Sequence, residues 1–171
     1  MAKLSVFILL FFGHVVLGQD KYPTKSQVIK SLTQKTRLKN KIYESTNWFS
    51  IIDSSTYRST DTLVFYNNSN NKLGRFICNI VDWNFYKKDA LWVQHEQLCK
   101  EPATATAIKD DDFFTYDVSD GLPLTLRISN KDGLVDEFEV LSLTKSPLNN
   151  RDQETTDVLT LLRIKLVKNQ L

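Results

Sequence analysis

The chain is poor in the residues that build metal and nucleophile chemistry. Its 171 residues include two cysteines, two histidines and one methionine. Two cysteines cannot supply a four-thiolate site. Once His14 is set aside with the leader described below, His95 is the one histidine left to anchor zinc, so no metal and no cofactor are expected. There is no Gly-x-Ser-x-Gly elbow, no phosphate-cradling glycine loop and no His-Glu-x-x-His. Asp110-Asp111-Asp112 lacks the spacing and the glycine of a calcium loop and reads as a solvated turn. Charge of neither sign dominates: 22 basic residues oppose 20 acidic ones, a net +2. The basic residues are scattered rather than clustered, which argues against a nucleic-acid partner. After Leu4–Phe12 no long apolar run follows, so no membrane span is expected.

What is present begins with a secretory leader. Lys3 is its basic start, Leu4 to Phe12 its apolar run, and Val16-Leu17-Gly18 its cleavage region. Residues 1–18 therefore read as a signal peptide and residues 19–171 as one secreted, extracellular domain, large enough for a single core. In that compartment the two cysteines are expected to pair as Cys78–Cys99. Asn67-Asn68-Ser69 is a glycosylation sequon on an Asn-rich turn, which makes Asn67 the expected glycan site.

The stretch from Gly74 to Cys99 organises the rest. Two long apolar-rich runs flank the polar Lys87-Lys88-Asp89, with one cysteine near each outer end, so the segment reads as a β-hairpin closed by its own disulfide. Placing Cys78 opposite Cys99 sets the register: Asp82 faces His95, Asn84 faces Val93, Trp83 faces Gln94 and Phe85 faces Trp92. A β-bulge would break that register. A carboxylate facing an imidazole orients it and raises its basicity, which makes Asp82 and His95 the candidate catalytic pair, against the plainer reading of a cross-strand polar pair. Trp83, Phe85 and Trp92, with Tyr86, crowd the hairpin tip. They are candidate ligand-binding residues, against the plainer reading that they fill the core.

Elsewhere, Thr24 to Ser45 has apolar residues at helical spacing and a basic opposite face, with Ser26 as a cap. Trp48–Ile52 is a strand or the end of a helical turn, Ser54–Thr60 a loop, and Thr62–Tyr66 a strand. Ala103–Ile108 and Phe113–Val118 read as strands. Leu122–Ile128 and Leu134–Leu143 form a second hairpin around Lys131-Asp132-Gly133. A three-residue loop there puts Leu126 opposite Phe138, Leu124 opposite Val140 and Arg127 opposite Glu137, leaving one apolar and one charged face. Residues 152–169 carry acids early and bases late, which favours a helix. The rival is a strand, because Leu162, Ile164 and Leu166 alternate with Arg163 and Lys165.

Asp82 to Trp92 resembles the central hairpin of NTF2-like domains, and Leu124–Ile128 with Asp132–Val140 resembles their final hairpin. That resemblance implies an α+β fold: an N-terminal helix packed on a strongly curved antiparallel sheet, a cone, here followed by a C-terminal helix. It also implies an apolar cavity. Some members of that family are isomerases or dehydratases with Asp and His in the cavity, and many only bind or scaffold. The alternative is a lipocalin-like β-barrel, which the order of strand candidates from Trp48 to Leu143 resembles. Thr46-Asn47-Trp48 lacks the Gly expected before Trp in the first lipocalin motif. Both imply a cup for an apolar ligand. The expected function is binding of a small hydrophobic ligand or an extracellular protein, without an evident catalytic site. The alternatives are a cavity enzyme using His95 with Asp82, and a secreted effector or structural protein without a pocket.

Overall fold

The computed structural model describes residues 22–34, 36–38, 41–43, 46–67, 78–99, 103–105, 109–147 and 155–167. The leader, Asn68 and Ser69 of the sequon, and the ends of the segments expected over 103–108 and 152–169 lie outside the described residues.

The fold is a closed antiparallel barrel with two short helices. Its wall consists of β3 (Thr46–Ser50), β4 (Thr62–Asn67), β5 (Asn79–Lys87), β6 (Ala90–Gln97), β8 (Phe113–Ser119), β9 (Leu124–Asn130), β10 (Gly133–Pro147) and β11 (Thr155–Leu166). Around the wall they run β5-β3-β4-β11-β10-β9-β8-β6, and pairing of β6 with β5 closes the ring. Closure leaves no open sheet edge in that wall. This matches the lipocalin-like alternative; an open cone against helices is not what forms. One detail departs from an up-and-down barrel, in which neighbours on the wall follow chain order. Here β4 lies between β3 and β11, and β3 between β4 and β5, so the first two strands are interchanged. Outside the ring, β1 (Thr36–Leu38) pairs with β2 (Lys41–Tyr43), and β7 (Thr104–Ala105) pairs with the end of β6.

Inward positions alternate with outward ones along each strand. Phe65 of β4, Trp83 of β5 and Phe138 of β10 meet across the lumen, with ring centroids 4.2 Å (Phe65–Trp83) and 5.6 Å (Trp83–Phe138) apart. Trp48, Leu63, Val81, Leu91, Leu126, Leu159 and Leu161 are buried with them. Each such side chain contributes roughly 1.5–3 kcal/mol by leaving water.

Helix α1 (Lys25–Leu32) closes one end. Thr24 caps it, not Ser26: its hydroxyl accepts from Gln27 N, and the Gln27 side chain accepts from Thr24 N. The helix buries Val28 and Leu32. It is anchored by Ser31 Oγ donating to Asp157 Oδ2 at 2.9 Å and by a Lys25–Asp120 ion pair. The helix expected to reach Ser45 stops at Leu32. Thr33 donates its hydroxyl back to Ile29 O, and Thr36–Leu38 and Lys41–Tyr43 pair as strands instead. Ser54–Ser59 is a helix, α2, rather than a loop. Asp53 caps it by accepting from Ser55 N and Thr56 N, and its Tyr57 is buried against the other end of the barrel.

The C-terminal segment is a strand, not a helix. Its early acids and late bases satisfied a helix-dipole pattern, but β11 pairs with β10 along its length and with β4 over Val158–Leu162.

The two hairpins show how bulges set register. In the second, Leu126 faces Phe138, Leu124 faces Val140 and Arg127 faces Glu137, as expected. The loop differs: Gly133 pairs with Asn130, and a shift between Leu134 and Asp136 restores the expected register. Gly133 has φ 124°, a conformation that glycine adopts without cost. In the first hairpin only the tip obeys the register read from the cysteines; from the bulge down to the disulfide the pairing is displaced by one. Lys87 pairs with Ala90 at the tip, and a bulge at Tyr86 then sets Phe85 opposite Leu91. At the other end Leu98 N donates to Cys78 O at 2.7 Å, so Cys99 sits one residue beyond the position opposite Cys78. Along this displaced stretch His95 faces Val81 and Asp82 faces Gln94. The expected Asp82–His95 pair does not form, because a one-residue slip sends each side chain to the other face.

Cys78 and Cys99 are bonded, and their separation is 21 residues. Closing a loop of that length restricts the unfolded chain by about 3 kcal/mol. The double variant Cys78→Ser, Cys99→Ser is expected to lose about that much stability in urea denaturation, with amide exchange rising first at Cys78–Ile80 and Glu96–Leu98.

Candidate functional site

The most polar part of the lumen lies where α2 meets β10 and β11. Arg163 points inward from β11 and is 9% exposed. Its Nε donates to Asp136 Oδ1 and Oδ2 at 3.0 and 3.1 Å. Its Nη1 donates to the carbonyls of Tyr57 and Thr60 at 2.7 and 2.8 Å, the last turn and C-cap of α2. A cation there satisfies helix-end carbonyls and complements the helix dipole. The guanidinium also lies over the rings of Tyr57, at 4.9 Å, and Phe138, at 5.2 Å. Tyr57 in turn meets the His95 ring edge-on at 6.0 Å. One connected set thus joins Trp83, Phe138, Arg163, Asp136, Tyr57 and His95.

Its electrostatics follow from burial. Desolvation pushes the Tyr57 hydroxyl well up, and the neighbouring Asp136 charge adds to this, so it stays protonated. Burial raises Asp136 to about 6 against the pull of Arg163. His95 is lowered, first by burial and then by Arg58, which outweigh the opposing influence of Asp112. It is therefore neutral at physiological pH.

Four buried nitrogen atoms on these inward positions complete no well-formed hydrogen bond: Trp48 Nε1, Trp83 Nε1, Arg163 Nη2 and His95 Nδ1, although Trp83 and Arg163 both act on the Tyr57 hydroxyl oxygen as donors. Trp48 and Trp83 are direct cross-strand neighbours. Indole N–H and guanidinium N–H are donors only. The arrangement can therefore receive a hydrogen-bond acceptor in otherwise apolar surroundings.

The barrel divides the residues singled out from the sequence. Trp83 and Phe85 face the lumen, where Phe85 packs edge-on against Tyr116 at 4.9 Å. Trp92, opposite Asn84, is on the outer wall. His95 is inside and Asp82 outside, so they cannot act together on one bound molecule. Asn67 ends β4, is buried, and its carbonyl accepts from the Thr156 hydroxyl at 2.5 Å. Tyr57, Asp136 and Arg163 were not singled out. The available signal was Arg163 alone among Leu159, Leu161, Leu162 and Ile164, and an alternation reading would have turned it outward.

No helix among the described residues is long and apolar enough to cross a membrane. Among the described residues no group of three or more His, Cys, Asp or Glu side chains is placed to hold a metal ion.

Two stability experiments test these assignments. Asp136→Asn leaves the Arg163 guanidinium buried without its counter-charge and is expected to cost about 3–5 kcal/mol in denaturant unfolding. Arg127→Met, which removes the exposed 2.6 Å pair with Glu137, should cost less than about 1 kcal/mol. The second experiment concerns Asp82, raised to about 7 by burial and then by Glu96. Its folded value exceeds the unfolded one, so its contribution is complete below pH 4 and lost as pH rises through 7. Wild-type stability is expected to fall by roughly 3–4 kcal/mol across that window relative to Asp82→Asn. Parallel pH profiles of the two proteins would show the carboxylate to be solvated.

No protein-family model matches the chain, and no curated protein or solved structure shows significant similarity to it.

Proposed function

We propose that this is a secreted small-molecule-binding protein whose barrel lumen takes an apolar molecule carrying a hydrogen-bond acceptor, such as a carboxylate or carbonyl. The observation that carries the reading is the set of inward polar nitrogens that complete no well-formed hydrogen bond, Trp48 Nε1 above all, with Trp83 Nε1 and Arg163 Nη2 beside the Tyr57 hydroxyl, in a lumen otherwise lined by aliphatic and aromatic groups. Leaving a buried donor unpaired costs about 1–3 kcal/mol, more when it is charged, and an acceptor delivered by a ligand returns that energy on binding. Pockets that hold small ligands have this composition: mostly apolar walls and a few placed polar groups. Secretion is part of the proposal. It is supported by the leader read at residues 1–18 and by the Cys78–Cys99 bridge, since disulfides persist outside the reducing cytosol. Turnover by His95 acting with Asp82 is not proposed, because the two lie on opposite faces of the wall.

The test is native mass spectrometry of the protein secreted from eukaryotic cells, followed by titration with decanoate. A dissociable small molecule is expected on the purified protein, with saturable decanoate binding after its removal. Trp83→Phe keeps the ring and loses the N–H, and is expected to weaken decanoate about tenfold. A clean apo mass together with no saturable decanoate binding would remove the reading.

A further inference from the structure

The outer wall carries a second polar cluster, with the opposite chemistry to the lumen. Asp82 and Asn84 are two residues apart on β5 and so share its outward face. Each is 7% exposed. Asp82 Oδ2 accepts from Asn47 Nδ2 at 3.2 Å, while Asp82 Oδ1 has no partner, and neither has Asn84 Oδ1. Asn47 lies opposite Asn84 on β3, Gln94 opposite Asp82 on β6, Glu96 opposite Ile80 and Trp92 opposite Asn84. Directly opposite side chains on one face stand about 5 Å apart at Cβ. The wall therefore brings two carboxylates, one orphaned amide oxygen and an indole onto one patch. Asp82 and Asn84 are buried in it, and Trp92, Gln94 and Glu96 on the neighbouring strand are half-buried.

From this geometry we infer a binding site for a small organic ammonium ion on the outer wall, with Asp82 and Asn84 accepting its N–H groups, Glu96 adding charge and Trp92 covering its apolar stem. A cation suits the patch because the unpartnered atoms are oxygens beside two acids and Asn47 donates to Oδ2 of Asp82, so once Asp82 is ionised its Oδ1 and that of Asn84 are both acceptors. A calcium-type ion takes six to eight oxygen ligands with more carboxylates than two, and no cluster of three acidic or other metal-binding side chains exists among the described residues. A primary ammonium ion needs about three acceptors in a fan, which two acids and an amide oxygen provide. An indole beside such a group adds cation–π attraction.

The electrostatics agree. Burial and Glu96 both disfavour the Asp82 carboxylate, which holds its proton to about 7. Of the residues facing it, Asn47 and Phe49 on β3 and Gln94 on β6 carry no charge, so Glu96 is the one ionised neighbour that pairing places there. A bound cation favours the ionised form, so binding releases a proton and strengthens as pH rises through 7.

The probe is 2-phenylethylamine, with 2-phenylethanol as its uncharged counterpart, titrated by calorimetry and by the emission of the half-buried Trp92. The amine is expected to saturate one site and the alcohol to show no binding. Affinity should rise about tenfold between pH 6 and 8, a readout that needs no variant. Asp82→Asn, which keeps the shape and relieves a buried charge, should fold and lose at least about tenfold in amine affinity while leaving decanoate binding in the lumen unchanged. Equal binding of amine and alcohol, a pH-independent affinity, or full amine affinity in Asp82→Asn would each overturn the site. Equal affinity for N-acetyl-lysine N-methylamide would overturn the small-amine assignment in favour of a partner's lysine.

Discussion

The Arg163 guanidinium is the constraint on which one end of this barrel depends. Taking a cation out of water costs several kcal/mol, so it persists inside only where its hydrogen bonds and charge are met. Here three elements meet it together: Asp136 from β10, the carbonyls of Tyr57 and Thr60 from α2, and the faces of Tyr57 and Phe138. Removing any one leaves the others facing an unmet charge. A six-residue helix has little stability of its own. Held at its N-terminus by Asp53 and at its C-terminus by Arg163, α2 becomes a fixed floor for the lumen. The opposite end is closed more conventionally, by apolar burial of Val28 and Leu32, with Ser31 and Lys25 tying α1 to the rim.

Closure of the wall turns a local register into a global property. In an open sheet a one-residue slip moves side chains between a wet face and a covered one. In a closed barrel it moves them between inside and outside, two environments that share no ligand. The bulge at Tyr86 is thus what separates His95 from Asp82. It also explains why Trp83 and Phe85 reach the lumen while Trp92 does not. Tyr86 itself turns out to meet Phe113 edge-on at 6.0 Å, so the extra residue is accommodated by an aromatic contact on the outer wall.

The parts of this fold legible in the sequence were those whose pattern repeats locally. The second hairpin was readable because Arg127 and Glu137 had to share a face and Leu126 and Phe138 the other, which leaves one register. The first hairpin was legible at its tip, Lys87 opposite Ala90, and not beyond it, since the bulge at Tyr86 offsets every later pair by one as far as Cys78. β11 misled because its acids precede its bases, as in a helix; its pairing with β4, whose residues lie almost a hundred positions earlier, leaves no local trace. The same holds for the interchange of β3 and β4 on the wall. The lumen cluster was hidden for a related reason. Tyr57, Asp136 and Arg163 are far apart in sequence, and each looks ordinary until the barrel brings them together. A lone arginine within a leucine-rich strand was the visible trace, and alternation alone assigned it to solvent.

Buried polar atoms without partners are costly, and native proteins keep few of them. In this barrel the inner set is nitrogen and the outer set oxygen. Inside are the indole N–H groups of Trp48 and Trp83, Nη2 of Arg163 and Nδ1 of His95; outside are Oδ1 of Asp82 and Oδ1 of Asn84. The wall between them is one strand thick at β5, where successive residues alternate between the two sets: Asp82 out, Trp83 in, Asn84 out. Each face is therefore complementary to something brought from outside the chain: an acceptor for the lumen, a cation for the outer wall. The two demands differ in charge and are separated by a single layer of backbone, so occupation of one face need not disturb the other.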